Sequence, residues 1–171
     1  MTDLPAILLE KRPGLMAELE LADPRLRVVV FYAATVCIRK FGVVPVLTRV
    51  NGTRLETVKF HGEDPRGGRP KLSPHEVRPC RAADLRTRGL VSDEEAQAWE
   101  DELDQRLEYM PPGAKFNRHT VAYYETQEKE LALGRNPQLP PVVPHLHLQV
   151  PPWASKASGP MVRLWTMGAA A

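Results

Sequence analysis

Hydrophobic and polar positions in the first quarter of the chain predict two helices. The segment from Leu15 to Leu21 has the pattern of a short helix. Asp23 before Pro24 matches an N-cap followed by the first helical position, and Gly42 is a C-terminal stop signal. The intervening residues are rich in β-branched side chains and would also allow a strand, but the length of the segment favours a buried helix that runs to Phe41.

Four apolar segments further along the chain predict β-strands. They are VVPVLTRV at 43–50, RAADLR at 81–86, HTVAYYE at 119–125 and VVPHLHLQV at 142–150. The Asn51-Gly52 pair after the first segment is a turn signal, and the third segment ends in the carboxylate of Glu125. Strands of this length are typical of a small sheet.

The clearest helix is predicted from Ser92 to Leu107. Ser92 and Glu95 have the spacing of a capping box, and acidic residues fill the first turn. Apolar residues recur at helical spacing and form the side predicted to be buried: Ala96, Trp99, Leu103 and Leu107. Together the elements predict an α+β fold, in which a small antiparallel sheet packs against N-terminal and central helices.

Segments rich in glycine and proline separate these elements. Residues 62–74 hold three glycines and three prolines and are predicted to form a surface loop, and residues 126–141 are predicted to be irregular. We therefore divide the chain into an N-terminal segment at 1–23, one domain at 24–152 and a C-terminal tail at 153–171.

Composition and charge narrow the class of protein. The 171 residues are 43% hydrophobic and 26% charged, which is ordinary for one globular domain. The formal net charge is only +2 and aromatic residues are 6% of the chain, which disfavours nucleic acid or an anionic membrane surface as the main partner. The sequence leaves the oligomeric state open.

Targeting signals are the next constraint. The N-terminal residues lack the apolar core of a secretory signal, and the longest apolar run, eleven residues from Val28 to Ile38, is too short to span a bilayer. Two cysteines do not make a disulfide framework. We therefore expect a protein without a transmembrane segment that is cytoplasmic as synthesised.

The strand at 142–150 carries the strongest chemical signal. His145 and His147 are two residues apart, so both imidazoles project from the same face of the strand, and paired histidines suggest a metal site. Further ligands are offered by His75 and Asp84 in the segment 73–84. Three such ligands with one open position would suit catalytic zinc.

Each of these residues also has an ordinary structural interpretation. The histidine pair could simply hydrogen-bond its neighbours, His75 could cap the following segment, and Asp84 could accept backbone hydrogen bonds. Glu125 could be a surface acid. Cys80 is interpreted as a small buried thiol that lies close enough in sequence to replace one ligand.

The segments SPHEVRPCRAADLRT at 73–87 and PHLHLQV at 144–150 resemble the zinc D-alanyl-D-alanine peptidases and related bacterial and phage peptidoglycan endopeptidases. The resemblance covers roughly residues 24–152 and includes the order of the elements. It implies that His75, Asp84 and His147 bind zinc. It also implies hydrolysis of a peptide bond in a peptidoglycan stem peptide or crosslink, by a carboxypeptidase-like or an endolysin-like endopeptidase.

The chain departs from the family pattern at several positions. His75 and Asp84 are nine residues apart, which is longer than the family's usual spacing, and Cys80 stands where the family has glycine. Pro144 stands where the family has its catalytic glutamate, so His145 or Glu125 has to accept the proton.

The arginine that the family places after its first strand has two candidates here. Arg54 is preferred and Arg49 is the alternative, and the resemblance implies a role in holding the substrate and the developing oxyanion. The departures from the family pattern also motivate a second hypothesis: a phage structural or assembly protein that keeps the fold without turnover. The resemblance thus implies a protein that either is released to the cell wall or is carried in a virion.

Overall fold

The computed structural model describes residues 7–61, 73–109, 121–150 and 162–164. Its elements are, in chain order, β1 (Leu9–Glu10), α1 (Leu15–Glu20), α2 (Pro24–Phe41), β2 (Val46–Arg49), α3 (Arg54–His61), β3 (Ala82–Arg86), α4 (Asp93–Arg106), β4 (Leu107–Tyr109), β5 (Ala122–Glu125), α5 (Gln127–Ala132), β6 (His145–Gln149) and β7 (Val162–Leu164). The predicted α+β class is confirmed. Among the described helices, none combines the length and the apolar character that crossing a membrane requires.

The two long helices begin and end at the residues that the sequence indicates. The Asp23 side chain accepts a hydrogen bond from the Arg25 amide at 2.9 Å at the start of α2, and Gly42 ends this helix with φ of 68°. Ser92 and Glu95 form the predicted capping box of α4, because each side chain bonds the other's backbone amide. Local capping chemistry therefore fixes both helices.

The main sheet has the strand order β1-β2-β3-β6-β5 and is mixed, whereas the sequence predicts an antiparallel sheet. Strands β2, β3, β6 and β5 pair antiparallel, but β1 runs parallel to β2. The chain passes through α1 and α2 between β1 and β2, and a helical crossover returns it to the same end of the sheet. Strands β4 and β7 form a separate antiparallel pair.

One face of the sheet packs against α2 and α4, as predicted. Leu146 and Leu148 of β6 are fully buried there, and the Trp99 indole of α4 donates a hydrogen bond to the Ala33 carbonyl of α2 at 3.0 Å. Because side chains alternate along a strand, the histidines of β6 point to the opposite face. The hydrophobic core therefore determines which face carries the polar site.

Several segments differ from their predicted structure. Residues 127–132 form helix α5 inside the stretch predicted to be irregular, and the Thr126 side chain caps it by accepting from the Lys129 amide at 3.2 Å. Helix α3 is not anticipated by the sequence analysis. Strand β7 falls within the predicted tail, and the rest of that tail, residues 62–72 of the predicted loop and His119 lie outside the described residues.

Candidate metal centre

The register of the sheet brings the predicted site residues into two adjacent rows. Asp84 of β3 pairs with His147 of β6, which in turn pairs with Tyr123 of β5. In the next row His145 lies between Arg86 and Glu125. Residues two apart on one strand share a face, so both rows lie on the face opposite the core.

His75 comes to this face from the loop that precedes β3. Its backbone carbonyl accepts a hydrogen bond from the Gly52 amide at 3.1 Å. Its Nδ1 donates to the Val50 carbonyl at 2.6 Å, which leaves Nε2 directed at Asp84. A backbone carbonyl that accepts a hydrogen bond from one ring nitrogen selects the tautomer and orients the ring of a metal-binding histidine.

The three predicted ligands converge on one point. His75 Nε2 lies 3.4 Å and His147 Nδ1 lies 2.8 Å from Asp84 Oδ1. Zinc bonds of about 2.0–2.1 Å in a tetrahedral arrangement separate ligand atoms by about 3.3 Å. The three ligand atoms all lie within 4.8 Å of one another, so the cluster is close enough to bind a metal ion.

Charge in this cluster favours a cation. Burial raises the pKa of Asp84, but the positive charge of His75 and His145 and hydrogen bonds from His147 and His75 outweigh it, and the net pKa lies well below 3.8. For His75 burial lowers the pKa, yet the charge of Asp84 and hydrogen bonds with Asp84, Cys80 and Val50 together outweigh it and raise the pKa to about 10. The buried carboxylate thus remains ionised and holds a proton on its neighbour. A divalent cation at the same point would supply that positive charge instead.

Gln149 supports His147 from the same strand. Its Oε1 lies 3.3 Å from Nε2 of His147. In this structure His147 Nδ1 donates to the Asp84 carboxylate at 2.8 Å, about 0.5 Å less than the spacing of tetrahedral zinc ligands. With the ring proton on Nε2 instead, donated to Gln149, Nδ1 would be free as a ligand. The donor set therefore fits a metal ion with a small adjustment.

His145 and Glu125 form a second group beside the first. His145 Nδ1 donates to the Val143 carbonyl at 2.8 Å, and its Nε2 lies 3.5 Å from Glu125 Oε2. Glu125, His145 and His147 also have ligand atoms within 4.8 Å of one another. The pairing of β5 with β6, on which the Glu125 hypothesis depends, is thus present in the fold.

Cys80 lies next to the cluster without joining it. Its Sγ is 3.0 Å from the Val50 carbonyl and 3.2 Å from the Ala82 carbonyl, and the residue is buried. The thiol thus helps to hold the loop that carries His75. This agrees with its interpretation as a small buried thiol.

Of the two arginine candidates, Arg49 is the one whose side chain the structure describes. It lines the same cleft as His75, and its Nη2 is buried without a hydrogen bond among the described residues. Its ion pair with Glu56 is long, at 3.9 Å. Arg54, preferred from the sequence, begins α3, and its side chain lies outside the described residues.

The cluster opens into a cleft of about 1430 Å³. Its lining includes the basic residues Lys11, Arg49, Arg86 and Arg88, and the apolar residue Leu133 with the segment 141–144. Both candidate metal-binding groups therefore face this cleft.

Tyr123 is a cleft residue that the sequence analysis missed. Burial and the negative charge of Glu130 raise its pKa to about 12, so the phenol stays protonated at neutral pH. Tyr123 lies two residues before Glu125 on β5, and strand alternation alone places the two on one face.

The comparisons with known proteins add no relative. No family model, curated protein or solved structure matches this chain.

Proposed function

We propose that the protein is a zinc peptidase that hydrolyses a peptide bond in peptidoglycan. The observation that carries this proposal is the convergence of His75, Asp84 and His147 on one point at the floor of an open cleft. The choice of zinc rests on the donor types, two imidazoles and one carboxylate, whose ligand atoms lie within 4.8 Å of one another. The choice of peptidoglycan rests on the resemblance of residues 73–87 and 144–150 to peptidoglycan peptidases.

His75, Asp84 and His147 would hold the zinc ion, which when bound would supply a Lewis acid able to polarise a carbonyl and to acidify a water molecule. The protein's own residues then handle the protons. His145 Nε2 accepts a proton from the attacking water and passes it to the leaving amine as the C–N bond breaks. The products are a carboxylate and an amine.

Glu125 assists this proton transfer in the proposal. Its carboxylate, 3.5 Å from His145 Nε2, stabilises the imidazolium that forms between the two proton transfers. His145 is preferred as the base because its Nδ1 is held by the Val143 carbonyl, which leaves the Nε2 lone pair directed into the cluster. Glu125 as the base is the competing assignment.

Arg49 is the proposed anchor for the substrate oxygen. Its buried Nη2 makes no hydrogen bond among the described residues, so an acceptor oxygen on a bound peptide would satisfy it. A fixed guanidinium close to the reacting carbonyl also stabilises the negative charge that develops there.

The test begins with metal content and turnover. We expect about one tightly bound zinc per purified chain, and release of amino groups from purified peptidoglycan that a chelator abolishes and zinc restores. The double variant His75→Ala, His147→Ala should lose both zinc and activity. An equal zinc content in this variant and the wild type would show that His75 and His147 do not bind the metal. Amino-group release that survives chelation would contradict the metal mechanism.

The base is assigned with single variants. We expect His145→Ala to keep its tight zinc and lose about 10²–10⁴-fold in kcat. Glu128→Gln, an exposed acid of α5 outside the cleft, is the matched control for Glu125→Gln. If His145→Ala has a near-normal kcat while Glu125→Gln binds zinc but is inactive, the base is Glu125 and not His145. A zinc-loaded wild type without turnover on any peptidoglycan would instead favour the non-catalytic phage protein.

A further inference from the structure

The pair of His145 and Glu125 has the spacing of metal ligands, not that of a hydrogen bond. His145 Nε2 lies 3.5 Å from Glu125 Oε2 and 3.7 Å from Asp84 Oδ1. Both distances exceed the roughly 2.7–3.2 Å of an N–H···O bond. They are close to the separation of about 3.3 Å between two atoms bound to one tetrahedral zinc ion.

This pair cannot simply complete the first site. The ligand atoms fall into two overlapping groups, one with His75 and Asp84 and the other with Glu125 and His145, and His147 is common to both. His147 directs Nδ1 at Asp84, while its Nε2 faces Gln149. Because His147 uses Nδ1 in the first site, Glu125 and His145 are left as a separate pair of donors.

We infer that the cleft holds a second, weaker divalent-cation site whose ligands are Glu125 and His145, beside the one formed by His75, Asp84 and His147. This inference rests on the metal centre of the proposed function. Asp84 and Glu125 supply two carboxylates among the five ligands of the two sites, and their negative charge offsets repulsion between neighbouring cations.

The second site is weaker because it has fewer and more exposed ligands of its own. The side chains of His145 and Glu125 are 21% and 15% exposed. In the first site His147 is similarly exposed, at 19%, but His75 and Asp84 are only 5% and 9% exposed. Water competes more effectively for a cation at the exposed pair, and two protein ligands bind more weakly than three.

Occupation of the second site has a functional consequence. A cation bound to His145 Nε2 uses the lone pair that would otherwise accept a proton, and it engages the Glu125 carboxylate as well. The proposed base and its neighbour are then both unable to act. Excess zinc is therefore expected to inhibit hydrolysis, while the first equivalent is required for it.

The experiment counts zinc bound by the metal-free full-length chain in equilibrium dialysis against increasing zinc concentration. We expect the wild type to bind two equivalents in separate steps, the first more tightly. Glu125→Gln and His145→Ala should each stop at one equivalent, and Glu128→Gln should bind two like the wild type. Retention of the tight equivalent in the two single variants shows that they are folded.

Three results would overturn the inference, and they are distinguishable from failure of the proposed function. If the wild type binds only one equivalent of zinc, the second site does not exist and the first site is unaffected. Two equivalents in both single variants would place the second ion elsewhere. A wild type that binds no zinc removes both sites.

Discussion

At the scale of single residues, Asp84 connects the whole site. It is buried and lies within 3.7 Å of ring nitrogens from three histidines. Burial lowers the pKa of His75, but the charge of Asp84 together with hydrogen bonds raises it to about 10. A buried carboxylate without a positive partner is energetically costly. Because three histidines surround Asp84, a variant that lacks one of them keeps two that can compensate its charge. The cluster therefore stabilises a bound cation, which can be either a proton or a metal ion.

Gly52 gives the first testable prediction, because a side chain there would displace Arg49. A Cβ at Gly52 would lie 2.5 Å from Arg49 Nη2 and 3.1 Å from the Cβ of His75. We expect Gly52→Ala to move the guanidinium and to lower kcat/KM by about 10²-fold, as Arg49→Met should, since a displacement of about 1 Å can have that effect.

Tight zinc content should stay near one equivalent in both variants. Arg88→Met, which removes an exposed basic residue from the rim of the same cleft, is the control and should change kcat/KM much less. Full activity in Arg49→Met would show that Arg49 does not anchor the substrate and would favour Arg54 for this role.

At the scale of elements, capping interactions hold the two helices that support the sheet. Helix α4 begins at the Ser92–Glu95 capping box, with hydrogen bonds of 3.2 and 2.8 Å, and buries Trp99 against α2. Helix α2 begins at Asp23, which is fully buried and paired with Arg25 at 2.7 Å. Each cap satisfies amides at a helix start that would otherwise lack partners.

The cap of α4 can be tested by Ser92→Ala. Loss of the side-chain acceptor should cost about 1 kcal/mol of unfolding free energy, which corresponds to about 2–4 °C in Tm for a chain of this size. Thermal unfolding followed by circular dichroism measures the change, with Ser92→Asp as the variant that keeps a capping oxygen. An unchanged Tm for Ser92→Ala would show that the box contributes nothing.

The cap of α2 predicts a pH dependence. Burial raises the pKa of Asp23, but the hydrogen bonds and charge of Arg25 outweigh it, so the folded pKa lies below 3.8. A depressed acid stabilises the fold above its unfolded pKa, and this contribution is lost as the pH falls through the folded value.

We therefore expect Asp23→Asn, which can still cap the helix, to be less stable than the wild type by about 1.5 kcal/mol at neutral pH. The difference should shrink as the pH falls below 3.8. Urea unfolding of both proteins across this range measures it. A difference that persists unchanged at the acid end would contradict the assigned charge effect.

At the scale of the whole molecule, the three ligands come from distant parts of the chain. His75 lies in a loop between α3 and β3, Asp84 lies in β3, and His147 lies in β6. The unfolded chain does not hold them together, so a metal ion binds the folded state in preference to the unfolded one. Metal binding and folding are consequently linked.

Zinc is therefore expected to stabilise the fold. At a free concentration of about 100 times its Kd, the tight ion should add about 2.7 kcal/mol to the unfolding free energy. Chemical unfolding with and without zinc measures the gain, and His75→Ala is expected to show little of it. An equal gain in His75→Ala would assign the stabilisation to zinc bound outside this centre.

The sequence by itself determined the elements whose signals are local. Asp23 with Pro24, Gly42 and the Ser92 capping box act within a few residues, so the bounds of α2 and α4 follow from the chain alone. The two-residue spacing of His145 and His147 likewise fixed their common face. Helix α5 was missed because it buries none of its residues and has no apolar stripe to mark it.

Only the tertiary structure decided which residues meet. The alignment of Asp84 with His147 depends on strand register, which long-range burial of the apolar face sets. The parallel edge strand β1 and the approach of Arg49 to His75 across Gly52 depend on contacts between segments far apart in sequence. The spacing of residues along one strand is determined by covalent geometry. The pairing of strands is determined by the free energy of packing the whole core, and the site depends on both.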